Sequence, residues 1–442
     1  MSNHLSKRFT LAVLTAVYSL NLVDRSLIGL LLQPIKIDLH LSDTQLGFVT
    51  GIAFALFYAT LGVPIARWAD RGNRVTICSA ALAIGGIAVS ASILITTYFQ
   101  LVIARIAAAV GEAGCKPPSY SLVGDFFPGS AERTRAMAIY HAGGAAAASL
   151  AYVVGGWVNE LYGWRTTLLV VGGLPCLVIA LVARLTVVEP RTQTAKAPGS
   201  PVHQLPMIET LSVLWGSRSF RHLSLALILI YTMGSGLGPW KAVYLMRIHH
   251  MGTGELGAWL GAAVGIGSVA SILLGGYLAS HWLANNERAQ MWMCGSGVAL
   301  LVPCYVAFLT VPQKHQALLI LIPIYLLPGL YIAPTYVLMQ RLVPNEMRAT
   351  ALASVMLFVH LIGIGVGTQV VGILSDALAS TFGHASLRYA MLAVSSVAIW
   401  AAYHFWKAGQ TIVADLSAAN RGRRHVRTDD LDEIVVKSTS AS

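Results

Sequence analysis

Apolar segments of about 20 residues recur almost from one end of this chain to the other, and that repetition constrains its fold more than any other feature. Windows of about 19 residues place spans near 9–33, 44–66, 75–97, 100–124, 136–158, 165–186, 222–245, 255–279, 289–311, 316–338, 350–374 and 387–408. In hydrocarbon every backbone N–H and C=O must find its partner inside the protein, which only helices and closed barrels achieve. The segments are continuously apolar rather than alternating, so they read as helices and not as barrel strands. The expected fold class is an all-α integral membrane protein with twelve transmembrane helices. Composition agrees, with 56% of the 442 residues hydrophobic and 11% charged, where soluble domains carry roughly 25% charged residues. A water-soluble globule is excluded.

The net charge of +11 does not point to nucleic acid, because the basic residues form no stripe and sit between the apolar blocks. Their sides of the membrane are unequal. If the N-terminus is cytoplasmic, that side holds Lys7, Arg8, Arg67, Arg71, Arg74, Arg133, Arg135, Arg191, Lys196, Arg218, Arg221, Arg288, Arg341, Arg348 and six more from Lys407 onward. The opposite loops hold only Lys36, Arg165, Arg247, Lys314 and Arg388. This bias places both termini in the cytoplasm. The first apolar run is too long for a signal-peptide core and lacks a small-residue cleavage site, so it reads as a retained span. The five cysteines lie inside apolar segments without C-x-x-C spacing and read as small packing residues. No N-x-[ST] sequon occurs and the non-cytoplasmic loops are short, which fits a multi-pass protein of a bacterial inner membrane.

The longest connection, 187–221, contains Pro190, Pro198, Pro201 and Pro206 and divides the spans six and six. The expected organisation is an N-terminal six-helix half over 1–186, a cytoplasmic linker, a C-terminal six-helix half over 222–408, and a disordered cytoplasmic tail over 409–442. The halves repeat. Asp43-Thr44-Gln45-Leu46-Gly47 aligns with Thr253-Gly254-Glu255-Leu256-Gly257, and Pro128 and Arg133 before Ala136 resemble Pro344 and Arg348 before Ala351. A parallel repeat of six spans is an organisation of secondary transporters, the major facilitator superfamily being the standard example.

Charges within the spans bear on function directly. Asp24, Arg25, Arg105, Glu112, Lys116 and Lys241 would each cost several kcal/mol facing lipid unpaired, so they are expected to face one another or a water-filled cavity. Arg105, Glu112 and Lys116 fall on one face of a helix at 100° per residue. Ions that served packing alone would be poor stabilisers beside apolar residues. Moreover, Asp24 and Arg25 align with Gly234 and Ser235 in the second half, so the repeat itself does not require them. We assign the cluster to proton coupling, through Glu112 and Asp24, and to substrate binding, through Arg25, Arg105, Lys116 and Lys241, with His360 and Tyr336 as further contacts. Glu112 is expected to pair with Arg105 or Arg25. Four cations against two acids leave a positive cavity suited to an anionic head group.

One loop and two spans carry a family resemblance. Ala66-Arg67-Trp68-Ala69-Asp70-Arg71-Gly72-Asn73-Arg74 resembles the G-x-L-x-D-R-x-G-R-[KR] loop of the major facilitator superfamily, with Ala66 and Asn73 replacing its glycines. An acid followed by bases at such a corner can clamp a neighbouring helix end, which gives Asp70, Arg71 and Arg74 a gating role. Gly111-Glu112-Ala113 after Arg105, the Pro117-Pro118 pair with Asp125-Phe126-Phe127-Pro128, and Asn21-Leu22-Val23-Asp24-Arg25 are similar to the spinster branch. That resemblance implies a lipid-like substrate, such as a lysophospholipid or sphingoid phosphate; because the cavity charge comes almost entirely from spans 1 and 4, its head is expected on the N-terminal half and its tail on an apolar wall of the C-terminal half. Organic-anion symporters of the superfamily share N-x-x-D-R and the Glu-Ala of the fourth span, which keeps a hydrophilic organic anion open as the alternative, and a passive lipid scramblase as a third. H-E-x-x-H, G-x-x-x-x-G-K-[ST] and G-x-S-x-G are absent, so no enzyme, no ATP and no cofactor or metal is expected. The expected partners are the substrate, protons and membrane lipids, with the chain a monomer.

Overall fold

The computed structural model describes residues 2–190, 215–284, 286–344 and 347–439, and its described elements are helical throughout. Among the described residues, eleven helical stretches are long and apolar enough to cross a membrane. One of them, Ala131–Thr186, has 56 residues, about 84 Å at 1.5 Å per residue, roughly twice the thickness of a bilayer. It turns back at Gly163, whose φ of 79° and ψ of 167° interrupt the helix and suit a residue without a Cβ. The segment before Gly163 packs on the first and eighth spans, and the segment after it packs on the third.

Counted as two passes, this stretch brings the total to twelve. The spans are span 1 (Lys7–Leu39), span 2 (Asp43–Ala69), span 3 (Arg74–Leu94), span 4 (Tyr98–Phe126), span 5 (131–162), span 6 (164–186), span 7 (Arg218–His249), span 8 (Thr253–Trp282), span 9 (Glu287–Thr310), span 10 (Lys314–Arg341), span 11 (Thr350–Ala377) and span 12 (Ala379–Ala419). We propose the sequence-based division into halves, 1–186 and 222–408, for the folded chain. Most of the expected linker, at 191–214, lies outside the described residues.

Among the described residues spans 2, 4 and 10 are each broken within their length, span 10 at 327–328. Span 2 is interrupted at Gly51, which faces the Gly365 carbonyl so closely that a Cβ would collide with it. Span 4 stops at Ala113 and restarts at Lys116, with Pro117 and Pro118 opening the new helix, where prolines fit because the first helical N–H groups lack partners anyway. The tail differs from its expected disorder, since one helix runs Val397–Thr439. Ala408, Ile412 and Leu416 are buried at four-residue spacing, so an apolar stripe carries the helix beyond residue 408.

Candidate substrate and proton site

The two halves are tied together at the end of the molecule where span 1 meets span 2. Asp43 sits at the centre of this contact. Arg247 of span 7 reaches its two carboxylate oxygens at 2.6 and 2.7 Å and donates to Gln33 at 2.7 Å. Ser375 of span 11 donates to Asp43 at 2.6 Å, and Lys36 lies 2.5 Å from it. In return Asp376 accepts from the backbone N–H groups of Asp43 and Thr44, capping span 2 from the opposite half. Spans 5 and 8 add a second seam, where Glu160 accepts from the Gly254 N–H at 2.6 Å and Asn159 donates to Thr253 at 2.9 Å. Along that seam Gly156 and Gly257 face backbone at distances no side chain would tolerate.

Beyond this tied end lies a cavity of about 200 Å³ between the halves. Its N-terminal wall includes Arg25, Arg105, Phe54 and Tyr152, and its C-terminal wall includes Ser235, Pro239, Ile364 and Thr368, without a charge. Adjacent residues of span 1 aim in different directions because a helix turns 100° per residue. Arg25 meets Glu112, with Nε donating to Oε2 at 2.9 Å and a second N–O approach of 2.7 Å. Asp24 instead accepts from Arg105 Nη1 at 2.7 Å. Lys116 lies 3.6 Å from Glu112 despite the break in span 4. Arg25 and Arg105 both stand over the Phe54 ring, at 4.8 and 5.4 Å from its centroid, and Arg25 over Tyr58 at 5.5 Å. Asp24 and Glu112 also line one gap of about 20 Å³, room for a single water.

The structure thus brings together Asp24, Arg25, Arg105, Glu112 and Lys116. Three cations against two acids leave this cluster one charge positive rather than two, because Lys241 is elsewhere. Lys241 is buried in the C-terminal half with its Nζ 4.1 Å from the Tyr325 ring centroid, and is not among the cavity-lining residues. Tyr336 contacts Tyr231 and Met356 on that side. His360 donates through Nδ1 to the Met356 carbonyl at 2.7 Å and stacks on Tyr58 across the halves, with ring centroids 5.5 Å apart. In the loop after span 2, Arg74 is fully buried, pairing with Glu189 and, at 2.7 Å, with Asp125 of span 4. Arg71 is exposed, and the Asp70 side chain lies outside the described residues. Neither Phe54 nor Tyr58 was singled out as a site residue from the sequence. Their four-residue spacing, which puts two aromatics on one helix face, was the available signal.

The residues from 14 to 368 match the family model described as Major Facilitator Superfamily. The chain belongs to that superfamily. An "MFS-type efflux pump" of Mycolicibacterium smegmatis is 31% identical over 409 residues, covering 91% of this chain and 93% of that protein. The "Sphingosine-1-phosphate transporter SPNS2" of Danio rerio is 22% identical, covering 84% and 78%. Among solved structures, a bacterial homolog of the human lysosomal transporter Spinster, in an inward-facing and unoccupied conformation, superposes with a TM-score of 0.82 at 27% identity, covering 93% of this chain and 98% of that one. The protein is therefore a spinster-like, multi-pass membrane transporter and not an enzyme, and its substrate is a small molecule.

Proposed function

We propose that this protein is a proton-coupled, alternating-access transporter of an amphiphilic anion, such as a lysophospholipid or sphingoid phosphate. The observation that carries the reading is the two-faced cavity, with Arg25 and Arg105 on one wall and no charge on the other. The Arg25 guanidinium spends two of its nitrogens on Glu112, and the same planar fork fits a phosphate or carboxylate. Protonating Glu112 discharges its hold on Arg25 and frees that fork, so proton uptake and anion binding favour each other. Asp24 is the second carboxylate on the route, one water-sized gap away. Lys116 adds charge beside Glu112, and His360 closes the wall through Tyr58. Lys241 and Tyr336 lie in the C-terminal half off the lining of that uncharged wall, and we assign them to substrate contact only as the halves move.

The tied end closes one side of the cavity, and we infer from the charge bias of the loops that this side is non-cytoplasmic, so that both termini are cytoplasmic and the state described is inward-facing. A bacterial inner membrane and a monomer complete the proposal, and Asp70, Arg71 and Arg74 are assigned to the cytoplasmic gate. The test is a pH-sensitive dye inside proteoliposomes. Adding a single-chain anionic lysophospholipid drives proton movement through the wild type and not through Glu112→Gln. Proton movement at the wild-type rate in that variant contradicts the assignment.

A further inference from the structure

A cavity of about 200 Å³ is smaller than the roughly 300–1,000 Å³ that encloses a drug-sized ligand. A head group fits it and a long tail does not. Two further cavities extend from it towards the membrane-facing surface of the N-terminal half. The first, of about 20 Å³, shares Ile28 and Arg105 with the central cavity and adds Asp24, Ala88, Ile95 and Ala104. The second is a groove of about 270 Å³ between spans 3 and 4, sharing Ala88, Ile95 and Ala104 with the first. It is lined by Ala88, Ala91, Ala104 and Ala107, by Leu94 and Ile103, exposed at 73% and 67%, and by one polar residue, Gln100, near the start of span 4. In a membrane, such an apolar surface within a span faces hydrocarbon.

The inner end of this line is polar and incompletely partnered. Arg105 and Asp24 are at least nine-tenths buried, yet Arg105 Nε and Asp24 Oδ1 make no hydrogen bond, a costly state for buried ionic groups. The stopper between groove and ion pair is Ile95, 3% exposed. Its carbonyl accepts two N–H groups of Arg165, at 2.7 and 3.0 Å, and Arg165 in turn pairs with Asp38 at 2.8 Å. Ile95 is thereby latched by the start of span 6 and the end of span 1, two elements that shift against span 3 if the half flexes.

We propose that the groove between spans 3 and 4 is a lateral portal that takes the hydrocarbon tail of the amphiphile, while Arg105 and Arg25 hold its anionic head. This rests on the amphiphile reading above and relocates the tail from the C-terminal wall to the N-terminal half. Withdrawal of Ile95 joins the groove to the central cavity, so a chain from the surrounding leaflet enters sideways without crossing water.

The test uses wild-type protein in nanodiscs and lysophosphatidic acid carrying a diazirine near the end of its chain. Light-driven labelling is expected on the peptides holding Leu94 and Ile103, suppressed by excess unlabelled lysophosphatidic acid. Ala104→Phe, which narrows the groove, is expected to weaken a long-chain lysophosphatidate about tenfold more than a short-chain one. Labelling of the same peptides that excess ligand does not suppress means a surrounding lipid only and overturns the portal. Saturable labelling confined to spans 7 to 12 overturns the portal and leaves the amphiphile reading standing. Absence of saturable binding by either chain length overturns both.

Discussion

Replacing Arg247 by Gln should unlock the tied end. The substitution removes two N–O contacts to Asp43 and the donation to Gln33, each a charge-assisted bond of about 1.5–3 kcal/mol. The full sum overstates the loss, because Lys36 and Ser375 keep Asp43 partnered, and breaking a buried ion pair costs about 3–5 kcal/mol as a whole. With Arg247 and Asp43 side chains 15% and 3% exposed, screening by water is weak, and about 3 kcal/mol is a fair figure for the difference between tied and untied states. That corresponds to about a 150-fold shift in the equilibrium between them. The assay is maleimide labelling of Ser235→Cys, a cavity-lining position, applied from the side of the tied end in a Cys304→Ala background. The four other cysteines are buried. The labelling rate should rise by at least about tenfold in Arg247→Gln, following the untied population. An unchanged rate would refute the claim that this network holds the end shut.

Three other outcomes are expected. Glu112→Gln should lose gradient-driven uptake in proteoliposomes while substrate exchange persists, since exchange needs no net proton transfer. Gly257→Leu would set a side chain into the Tyr152 carbonyl, so the same maleimide reporter should label faster as spans 5 and 8 are forced apart. Arg74→Ala would strip the buried Glu189 of its principal cation and should cost about 3–5 kcal/mol, read as a lower Tm in detergent with the loss largely recovered in Arg74→Ala/Glu189→Ala.

Most of the fold was legible because hydrocarbon permits so little. A continuous apolar run of about 20 residues has one solution, and the positions of all twelve spans follow from it. Past residue 408 the helix continues on the buried stripe of Ala408, Ile412 and Leu416, a four-residue spacing that the charge clusters beyond Arg421 obscure in the sequence. At the site, the need for buried charges to find partners brought Asp24, Arg25, Arg105, Glu112 and Lys116 together from sequence alone. Which acid meets which base was not legible, since it depends on how far span 1 is rotated towards span 4. Lys241 shows the limit of that logic, because the Tyr325 ring rather than a carboxylate receives its cation, and nothing in local spacing announces a partner 84 residues away. The Asp43 network was invisible for the same reason. Asp43 looks like an ordinary helix-opening acid until Arg247, Ser375 and Asp376 arrive from the other half.

The central claim is that a proton gradient drives an amphiphilic anion through the cavity of Arg25 and Arg105, and one measurement tests it most directly. Purified protein in proteoliposomes is given either a single-chain anionic lysophospholipid or a small hydroxylated carboxylate, each with and without a proton gradient. The account predicts gradient-dependent, saturable movement of the lysophospholipid and none of the carboxylate. Gradient-dependent accumulation of the carboxylate alone would contradict the amphiphile, and lysophospholipid movement indifferent to the gradient would contradict proton coupling and leave a passive scramblase.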